Sequence, residues 1–508
     1  MQVSHLFVHL KLKNQLHIMK NFLKISILLV ICLISSDLLA NKPPKTQPNY
    51  GIVFPQNKIN TLEISLTKTQ WDSIKVDMKT KFGNDFGEGG FPNRGKIPPM
   101  PPPNFEDGPP MMSFGKGEPN YVEASVKFKG KTYPKVAFRL KGNSSLMMTW
   151  GKGVYKLPFR LDFGQFETNK KKQKLYGFQE LAFSPAMSDK SLIREKVTAD
   201  IFREAGIPAA QTAFYKIYID FGEGKKYCGV YTLTEVIDDT MIETQFGENS
   251  KASPEGNIYK PESNFTKFKK EQFEKKNNKK KADWADVEAF IKALNSPERT
   301  TNAAQWRMEL EKTFNIEHFL KYLAVNNTIV NWDSYGAMAH NFYLYNSPTQ
   351  KLTWIPWDHD QALGLKMDIP PFGMRPPNEL QSKDSKIPEG FKPPEGFGPM
   401  PMGGPMGRGV SLSLKDVGKN WPLLRYIADD EVYFTKYKNY VKEFTENVFT
   451  PEKMSALFDK NHQLIASAVA KEQKPFTHLN KPEDFDNELN MLKSHVIKRN
   501  AEVKEFLK

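Results

Sequence analysis

The chain has 508 residues, of which 39% are hydrophobic and 12% aromatic, so it can bury a large core in one or two closely joined domains. Its 36 prolines and 32 glycines exclude a uniformly packed chain and indicate loose insertions. The formal net charge of +14 is not accompanied by a recognised nucleic-acid-binding module, so we expect no nucleic-acid partner.

The first 40 residues are typical of a signal peptide. Lys20 and Lys24 precede the apolar run "ISILLVICLISS", and Ala40 ends a plausible cleavage site. The alternative is a transmembrane anchor, but the run is shorter than the roughly 20 residues that span a bilayer. We therefore predict a signal peptide at 1–40, a flexible linker at 41–52, no stable transmembrane anchor, and a protein that is secreted or held in the cell envelope.

Residues 53–240 are predicted to form a strand-rich lobe. Alternating apolar positions predict a strand in "LEISL" followed by a short helix, a hairpin in "YVEASVKFKGKTYPKVAFRL" and a strand in "YKLPFRLDF". The strands "TAFYKIYIDF" and "KYCGVYTLTEVID" are predicted to form a second hairpin around Gly222 to Gly224. A longer helix is predicted in "SDKSLIREKVTADIFREAGIP", where Ser188 or Asp189 can provide the N-cap.

Two Pro/Met/Gly-rich segments interrupt this pattern, at 82–119 and 369–409. Both lack apolar periodicity, and their prolines cannot donate to a sheet, so we predict disordered insertions. Their methionines also leave open a soft thioether site for Cu(I). The basic run at 267–281 is predicted to be a solvated loop or a frayed helix.

Residues 241–508 are predicted to be mainly helical, with one polar hairpin. The segments "NFYLY" and "KLTWIPW" flank the turn-forming "NSPTQ" and should pair antiparallel, with Tyr345 opposite Leu352. One end of this hairpin would then gather three oxygen-bearing side chains, those of Asn341, Asp358 and Asp360.

The chemistry of this hairpin end favours a nucleotide and a hard cation. Period-2 alternation would put Trp354, Asp358 and Asp360 on one face, which suits a ligand with a flat base and a charged tail. Oxygen ligands prefer Mg²⁺ or Mn²⁺, and Asp333, which lies earlier in the chain, would be free to act as a base. Solvated carboxylates at a hairpin end are an equally good explanation of the spacing alone.

Several separated motifs resemble the spore coat protein H (CotH) family of atypical secreted protein kinases. They include "VAFRLKGNSS", "YKLPFRLDF", "CGVYTLTEVID", "GNIYKPE" and "NWDSYGAMAHNFYLY", and the resemblance runs from about Val53 to Tyr437. It implies an α+β, atypical protein-kinase-like fold of two lobes that uses ATP and a divalent cation. It also implies Asp333 as the catalytic aspartate, Asp360 on the metal and Trp354 against the adenine.

Neither a Walker loop nor the G-x-G-x-x-G motif of ordinary kinases is present, so another segment must hold the phosphates. The best candidate is "RLKGNSS", which offers donors and close backbone approach at Lys141, Gly142, Asn143 and Ser144, although a plain turn is the alternative. We assign Lys156 as the lysine on the phosphates and Glu195 as its ion-pair partner.

The sequence therefore predicts a secreted, monomeric protein Ser/Thr kinase that uses ATP with Mg²⁺ or Mn²⁺, and whose substrate is a secreted or surface protein. Transfer of another group, such as AMP, stays open, as does a non-catalytic binding role at the cell surface or in a matrix. A weaker alternative treats His340, His359 and the aspartates as a hydrolytic transition-metal site.

Overall fold

The computed structural model describes residues 47–89, 117–166, 173–247, 256–365 and 409–508. The predicted signal peptide lies outside the described residues. Most of the predicted insertion at 82–119 and nearly all of the one at 369–409 also lie outside them.

A closed barrel of seven strands occupies the first half of the described chain. Its order is β1-β2-β3-β4-β5-β7-β6, and β1 closes it by pairing with β6 in parallel. The predicted strands and both hairpins are confirmed. The strands are β1 (Asn60–Ser65), β2 (Val122–Phe128), β3 (Lys131–Leu140), β4 (Phe159–Asp162), β5 (Glu180–Ser184), β6 (Thr212–Asp220) and β7 (Lys225–Glu235).

The barrel closes because alternate residues of each strand are apolar and point inward. Leu62 and Ile64 of β1 are buried, and Ile64 lies opposite Val126 of β2. Aromatic rings fill the interior, as where Phe159 stacks on Phe183 with ring centroids 4.6 Å apart.

Five helices accompany the barrel: α1 (Tyr50–Val53), α2 (Lys68–Phe82), α3 (Ser144–Gly151), α4 (Arg194–Glu204) and α5 (Asp239–Phe246). Two predicted boundaries are corrected. The predicted linker at 41–52 ends in the helical turn α1, where Tyr50 packs edge-on against Phe178 at 5.0 Å. The predicted insertion at 82–119 begins later, because Phe86 packs against Trp150 at 4.9 Å.

The helix α4 begins later than its sequence pattern predicted. Neither Ser188 nor Asp189 is its N-cap, since the first helical residue is Arg194. The Asp189 carboxylate instead accepts the backbone amide protons of Ser191 at 2.9 Å and of Arg194 at 2.8 Å. A short carboxylate that bonds nearby backbone amides offers the chain an alternative to the helix, which explains the late start.

A second sheet has four strands in the order β11-β10-β8-β9. These are β8 (Ile258–Pro261), β9 (Phe273–Lys275), β10 (Phe342–Ser347) and β11 (Lys351–Pro356). The predicted hairpin of β10 and β11 is present, but its register is shifted by one: Tyr345 lies opposite Thr353, and Leu352 faces Asn346. The connection is a three-residue loop followed by Lys351 at φ 64°, the left-handed position that such loops require.

The remaining described elements are helical. They are α6 (Ala285–Leu294), α7 (Glu298–Thr301), α8 (Ala303–Thr313), α9 (Ile316–Thr328), α10 (Pro422–Asp429), α11 (Glu431–Asn447), α12 (Pro451–Val469) and α13 (Glu483–Leu507). Their apolar faces form one core with the second sheet and with α4, separate from the barrel core.

The α+β class is confirmed, but a division into two lobes near residue 240 is not. Residues Tyr50–Lys508 form a single unit, and α4, from the predicted N-terminal lobe, buries Val197 and Ile201 in the helical core. Within the described part of the chain, each helix is too short or too polar to cross a bilayer.

Candidate functional site

The open end of the β10–β11 hairpin forms the centre of the candidate site. The backbone amide of Trp357 donates to the carbonyl oxygen of Asn341 at 3.1 Å, so Asn341 lies beside the start of the following loop, as predicted. Asn341 and Asp358 both have a φ of 62°, which ends the extended backbone on each side. The period-2 alternation therefore stops before Asp358, and the predicted shared face of Trp354, Asp358 and Asp360 is wrong.

Asp333 lies beside this hairpin end and is held by two neighbours. His340 Nε2 lies 2.9 Å from Asp333 Oδ1, and the Asn341 amide donates to Asp333 Oδ2 at 3.1 Å and to its carbonyl oxygen at 2.8 Å. Burial lowers the pKa of His340, but the hydrogen bond and charge of Asp333, together with Asp358, outweigh burial and raise that pKa above its ordinary value.

Sequence analysis considered His340 only as a metal ligand and missed its contact with Asp333. The spacing of seven residues gives no signal for it, because the contact depends on the turn between Asp333 and the hairpin. Histidine in this position helps to fix the orientation of the Asp333 carboxylate.

Four carboxylates act on one another at this place. Burial raises the pKa of Asp360 well above its ordinary range, and the negative charges of Asp358, Glu195 and Asp333 add to the rise. Burial and the charge of Asp358 raise the pKa of Glu195 to about 8, although the His359 backbone amide donates to Glu195 Oε2 at 2.6 Å. Negative charge is therefore in surplus here.

Lys141 supplies positive charge to this cluster. It follows β3 directly, and burial lowers its pKa while the charges of Asp358 and Glu195 oppose that fall. The next residues of the predicted phosphate loop lead into α3: Gly142 has a φ of 98°, Asn143 is the N-cap and Ser144 is the first helical residue. The loop thus lies at a helix N-terminus, where backbone amides are available to anions.

The predicted ion pair of Lys156 with Glu195 is wrong. Lys156 Nζ donates to both carboxylate oxygens of Glu472, at 2.8 and 2.9 Å, and both side chains are 1% exposed. Glu472 also accepts the Val230 amide at 2.7 Å and the Thr477 hydroxyl at 2.8 Å. Lys156 is therefore part of a closed structural cluster, and Lys141 is the lysine that faces Glu195.

The predicted adenine contact of Trp354 is also wrong. Trp354 is fully buried, and its ring stacks on Phe342 with centroids 3.9 Å apart and an interplanar angle of 14°. Tyr322 and Phe319 close the remaining space at 5.2 and 4.9 Å. No face of the indole is open to a nucleotide base, so Trp354 is a core residue.

Across the described ranges, no group of three or more His, Cys, Asp or Glu side chains is spaced as a ready ligand set for a metal ion. The chemistry of the cluster nevertheless fits a hard cation. Its donors are carboxylate oxygens, and burial together with the neighbouring carboxylates raises the pKa of Asp360, a combination that a bound cation would offset by favouring the charged form.

The comparisons with known proteins identify the family. The sequence model of the family described as "CotH kinase protein" matches residues 138–503, which is more than half of the chain. The chain therefore belongs to the CotH family, which is described as a kinase family.

Two curated relatives carry the same name or a related one. Invasin CotH2 of Rhizopus delemar is 27% identical over 199 residues, which cover 36% of this chain and 32% of that protein. Inner spore coat protein H of Bacillus subtilis is 27% identical over 199 residues, which cover 37% of this chain and 51% of that protein. The matched part thus spans about a third and about half of these relatives.

Among solved structures, a chain of the Shewanella oneidensis MR-1 toxin–antitoxin complex of HipA, HipB and operator DNA is similar at 13% identity. The match covers 80% of this chain and 68% of that chain, with a TM-score of 0.22. A TM-score this low does not support an inference about the fold or function of this chain.

Proposed function

We propose that this protein is a kinase that transfers the γ-phosphate of ATP to a Ser or Thr of a secreted or surface protein, with Mg²⁺ or Mn²⁺. The observation that carries the proposal is the convergence of Lys141, Glu195, Asp333, Asp358 and Asp360 at one hairpin end. A kinase site needs these parts: a base, acidic residues for metal, and a lysine with an acidic partner.

Asp333 is the proposed base that accepts the proton of the substrate hydroxyl. His340 and Asn341 hold its carboxylate in one orientation, as the contacts at 2.9 and 3.1 Å indicate. A base that is held within reach of the acceptor hydroxyl contributes typically 10²–10⁴-fold to the rate.

Asp358, Asp360 and the amide oxygen of Asn341 are proposed to hold the divalent cation. When bound, the cation would neutralise charge on the nucleotide phosphates. Lys141 would contact the same phosphates, oriented by Glu195, and residues 142–144 would add backbone amides from the start of α3. Lys141 thereby takes the role that sequence analysis gave to Lys156.

A location outside the cytoplasm is part of the proposal. It is supported by the apolar run of the predicted signal peptide, with the two lysines that precede it. The names of the two relatives, an invasin and an inner spore coat protein, agree with it.

The test is incubation of the full chain with labelled ATP, Mn²⁺ or Mg²⁺ and candidate secreted proteins, followed by mass spectrometry of the products. We expect label from the γ-phosphate on Ser or Thr. Label from the α-phosphate would instead establish nucleotidyl transfer. A protein that binds no ATP and transfers no label would contradict the enzymatic proposal and favour a binding role.

The Asp333→Asn variant tests whether Asp333 acts as the base in the transfer step or contributes to the binding of ATP and metal. We expect turnover to fall by about 10²–10⁴-fold, while ATP affinity by isothermal titration stays near that of the wild type. Asp72→Asn is the matched control, because Asp72 is an exposed aspartate on α2 that pairs only with nearby lysines in the described structure. An equal loss of ATP affinity and turnover would place Asp333 with the metal ligands instead.

A further inference from the structure

The loop after β11 carries Asp358 and Asp360 and has a backbone that needs outside support. Asp358 has a φ of 62° and Leu363 a φ of 56°, values that side-chain-bearing residues adopt at a cost. Such a conformation persists only where surrounding contacts hold it. The direction in which Asp360 points therefore depends on what holds this loop.

Two successive residues of α4 hold the loop on either side of Asp360. Glu195 Oε2 accepts the backbone amide of His359 at 2.6 Å, and Arg194 Nε donates to the carbonyl oxygen of Ala362 at 3.1 Å. The two contacts hold the loop backbone at separate points, so a change in the Arg194 side chain can alter the Ala362 contact without removing the Glu195 contact.

The orientation of Arg194 is itself fixed by two carboxylates. The side chain is almost fully buried, Nη1 donates to Asp189 Oδ1 at 2.6 Å, and Nη2 donates to Glu488 Oε1 at 2.5 Å. A guanidinium is planar with donors in fixed directions, so anchoring both Nη atoms also sets the direction of Nε. Asp189 is a local partner, whereas Glu488 comes from the distant helix α13.

A second residue of α13 contacts the same loop. His495 lies seven positions after Glu488, which is about two helical turns, so both side chains are on one face of α13. The His495 ring packs on Gly364, where an added Cβ would lie only 2.3 Å from His495 Nδ1. The helix α13 therefore reaches the loop in two ways, directly through His495 and indirectly through the Glu488–Arg194 pair.

We propose that Glu488 and Arg194 are positioning residues, through which α13 sets the backbone of residues 359–362 and so the placement of Asp360. Neither side chain is proposed to touch the nucleotide, the cation or the acceptor. The importance of this placement for catalysis rests on the proposed kinase function, but the mechanical link from Glu488 to the loop does not.

The test uses Glu488→Gln in the full chain, which keeps the size of the side chain and removes its charge. We expect faster amide hydrogen exchange in peptides that cover 357–365. We also expect about a tenfold rise in the Mn²⁺ concentration for half-saturation, measured by electron paramagnetic resonance, because partners of metal ligands typically contribute this much. Glu505→Gln is the matched control, since Glu505 lies on α13 but pairs with Lys508 at the surface.

Glu488→Asp provides a second variant, in which the shortened side chain withdraws the carboxylate from Arg194 and keeps its charge. It should give the same changes in hydrogen exchange and Mn²⁺ half-saturation as Glu488→Gln. If the Gln variant does not fold, Glu488→Asp is sufficient for the test. Wild-type exchange in 357–365 with unchanged Mn²⁺ half-saturation would overturn the proposal. If the wild-type protein bound no Mn²⁺, the metal role of Asp360 would fail, and the exchange rates would still decide the link.

Discussion

Lys141 and Lys156 flank the same short helix, α3, but have opposite electrostatic surroundings. Lys156 is enclosed with one carboxylate, that of Glu472, whose two oxygens accept four hydrogen bonds. Lys141 faces Asp358 and Glu195, which belong to a cluster of four carboxylates. A buried lysine therefore has no fixed role: Lys156 balances the charge of one buried carboxylate, whereas Lys141 lies in the cluster that we propose binds a ligand.

The largest expected effect is the loss of stability when the buried Lys156–Glu472 pair is broken. Lys156→Met should lower the free energy of unfolding by about 3–5 kcal/mol, because it leaves Glu472 charged, buried and without a cation. Urea unfolding followed by circular dichroism measures this. The double variant Lys156→Met with Glu472→Met should recover much of the loss, and a single variant as stable as the wild type would contradict the structural role of the pair.

The matching substitution of Lys141, which faces the carboxylate cluster, should affect activity instead of stability. Lys141→Met is expected to lower kcat/KM for ATP by about 10²–10³-fold, the usual effect of losing one positive or donor group at developing charge. The free energy of unfolding should stay within about 1 kcal/mol of the wild type, since burial already opposes the charge of Lys141. A loss of stability equal to that of Lys156→Met would erase the distinction between the two lysines.

Glu235 is intermediate between the two cases, because it accepts hydrogen bonds but, among the described residues, forms no salt bridge. It accepts the Tyr50 hydroxyl at 2.5 Å and the Gln211 amide at 3.0 Å, and burial raises its pKa to about 7. Between its unfolded pKa and about 7 the folded state binds more protons, so this contribution to stability is present at low pH and is lost as pH rises.

Glu235→Gln should therefore flatten the fall of stability between about pH 5 and pH 7. The difference from the wild type should be on the order of 1 kcal/mol for each unit of pKa shift. Thermal melts at several pH values measure it. Parallel curves for the two proteins would show that hydrogen bonds alone are enough to keep Glu235 charged.

The smallest expected effect is a gain in stability. Asp360→Asn should stabilise the protein without metal by about 1 kcal/mol, because it removes an ionisable group whose charged form is disfavoured by burial and by the neighbouring carboxylates. The same variant should lose the rise in melting temperature that we expect Mn²⁺ with ATP to give the wild type. A destabilised variant, or one that keeps the Mn²⁺ effect, would contradict the metal assignment of Asp360.

Local pattern predicted the strands, both barrel hairpins and the position of Asn341 beside the end of β11, because these depend on residues that are close in sequence. The sequence pattern failed to predict contacts between residues that are far apart in the chain. Nothing near Lys156 indicates Glu472, which lies 316 positions away. Trp354 was misassigned because an indole in a strand has the same pattern whether it faces a ligand or a core.

The start of α4 and the register of β10 and β11 were missed for a different reason. In both places, a local hydrogen bond or backbone conformation outweighs the average structural preference of the sequence. The Asp189 side chain bonds backbone amides that a helix would otherwise use, and Lys351 adopts a left-handed φ of 64°. The alternative local conformations differ in free energy by tenths of a kcal/mol to about a few kcal/mol, and sequence patterns do not resolve differences of this size.

The parallel pairing of β1 with β6 has a consequence for the order in which the protein folds. Asn60 lies beside Tyr215 and β7 links β6 to β5, so the barrel cannot close on a ribosome-bound chain until the segment through Glu235 has emerged. Glu472, which pairs with Lys156, and Glu488, which pairs with Arg194, emerge much later. The residues proposed to form the site all precede α13, so we expect a chain that ends before this helix to carry every one of them, to lack the Glu488 contact with Arg194, and to be inactive.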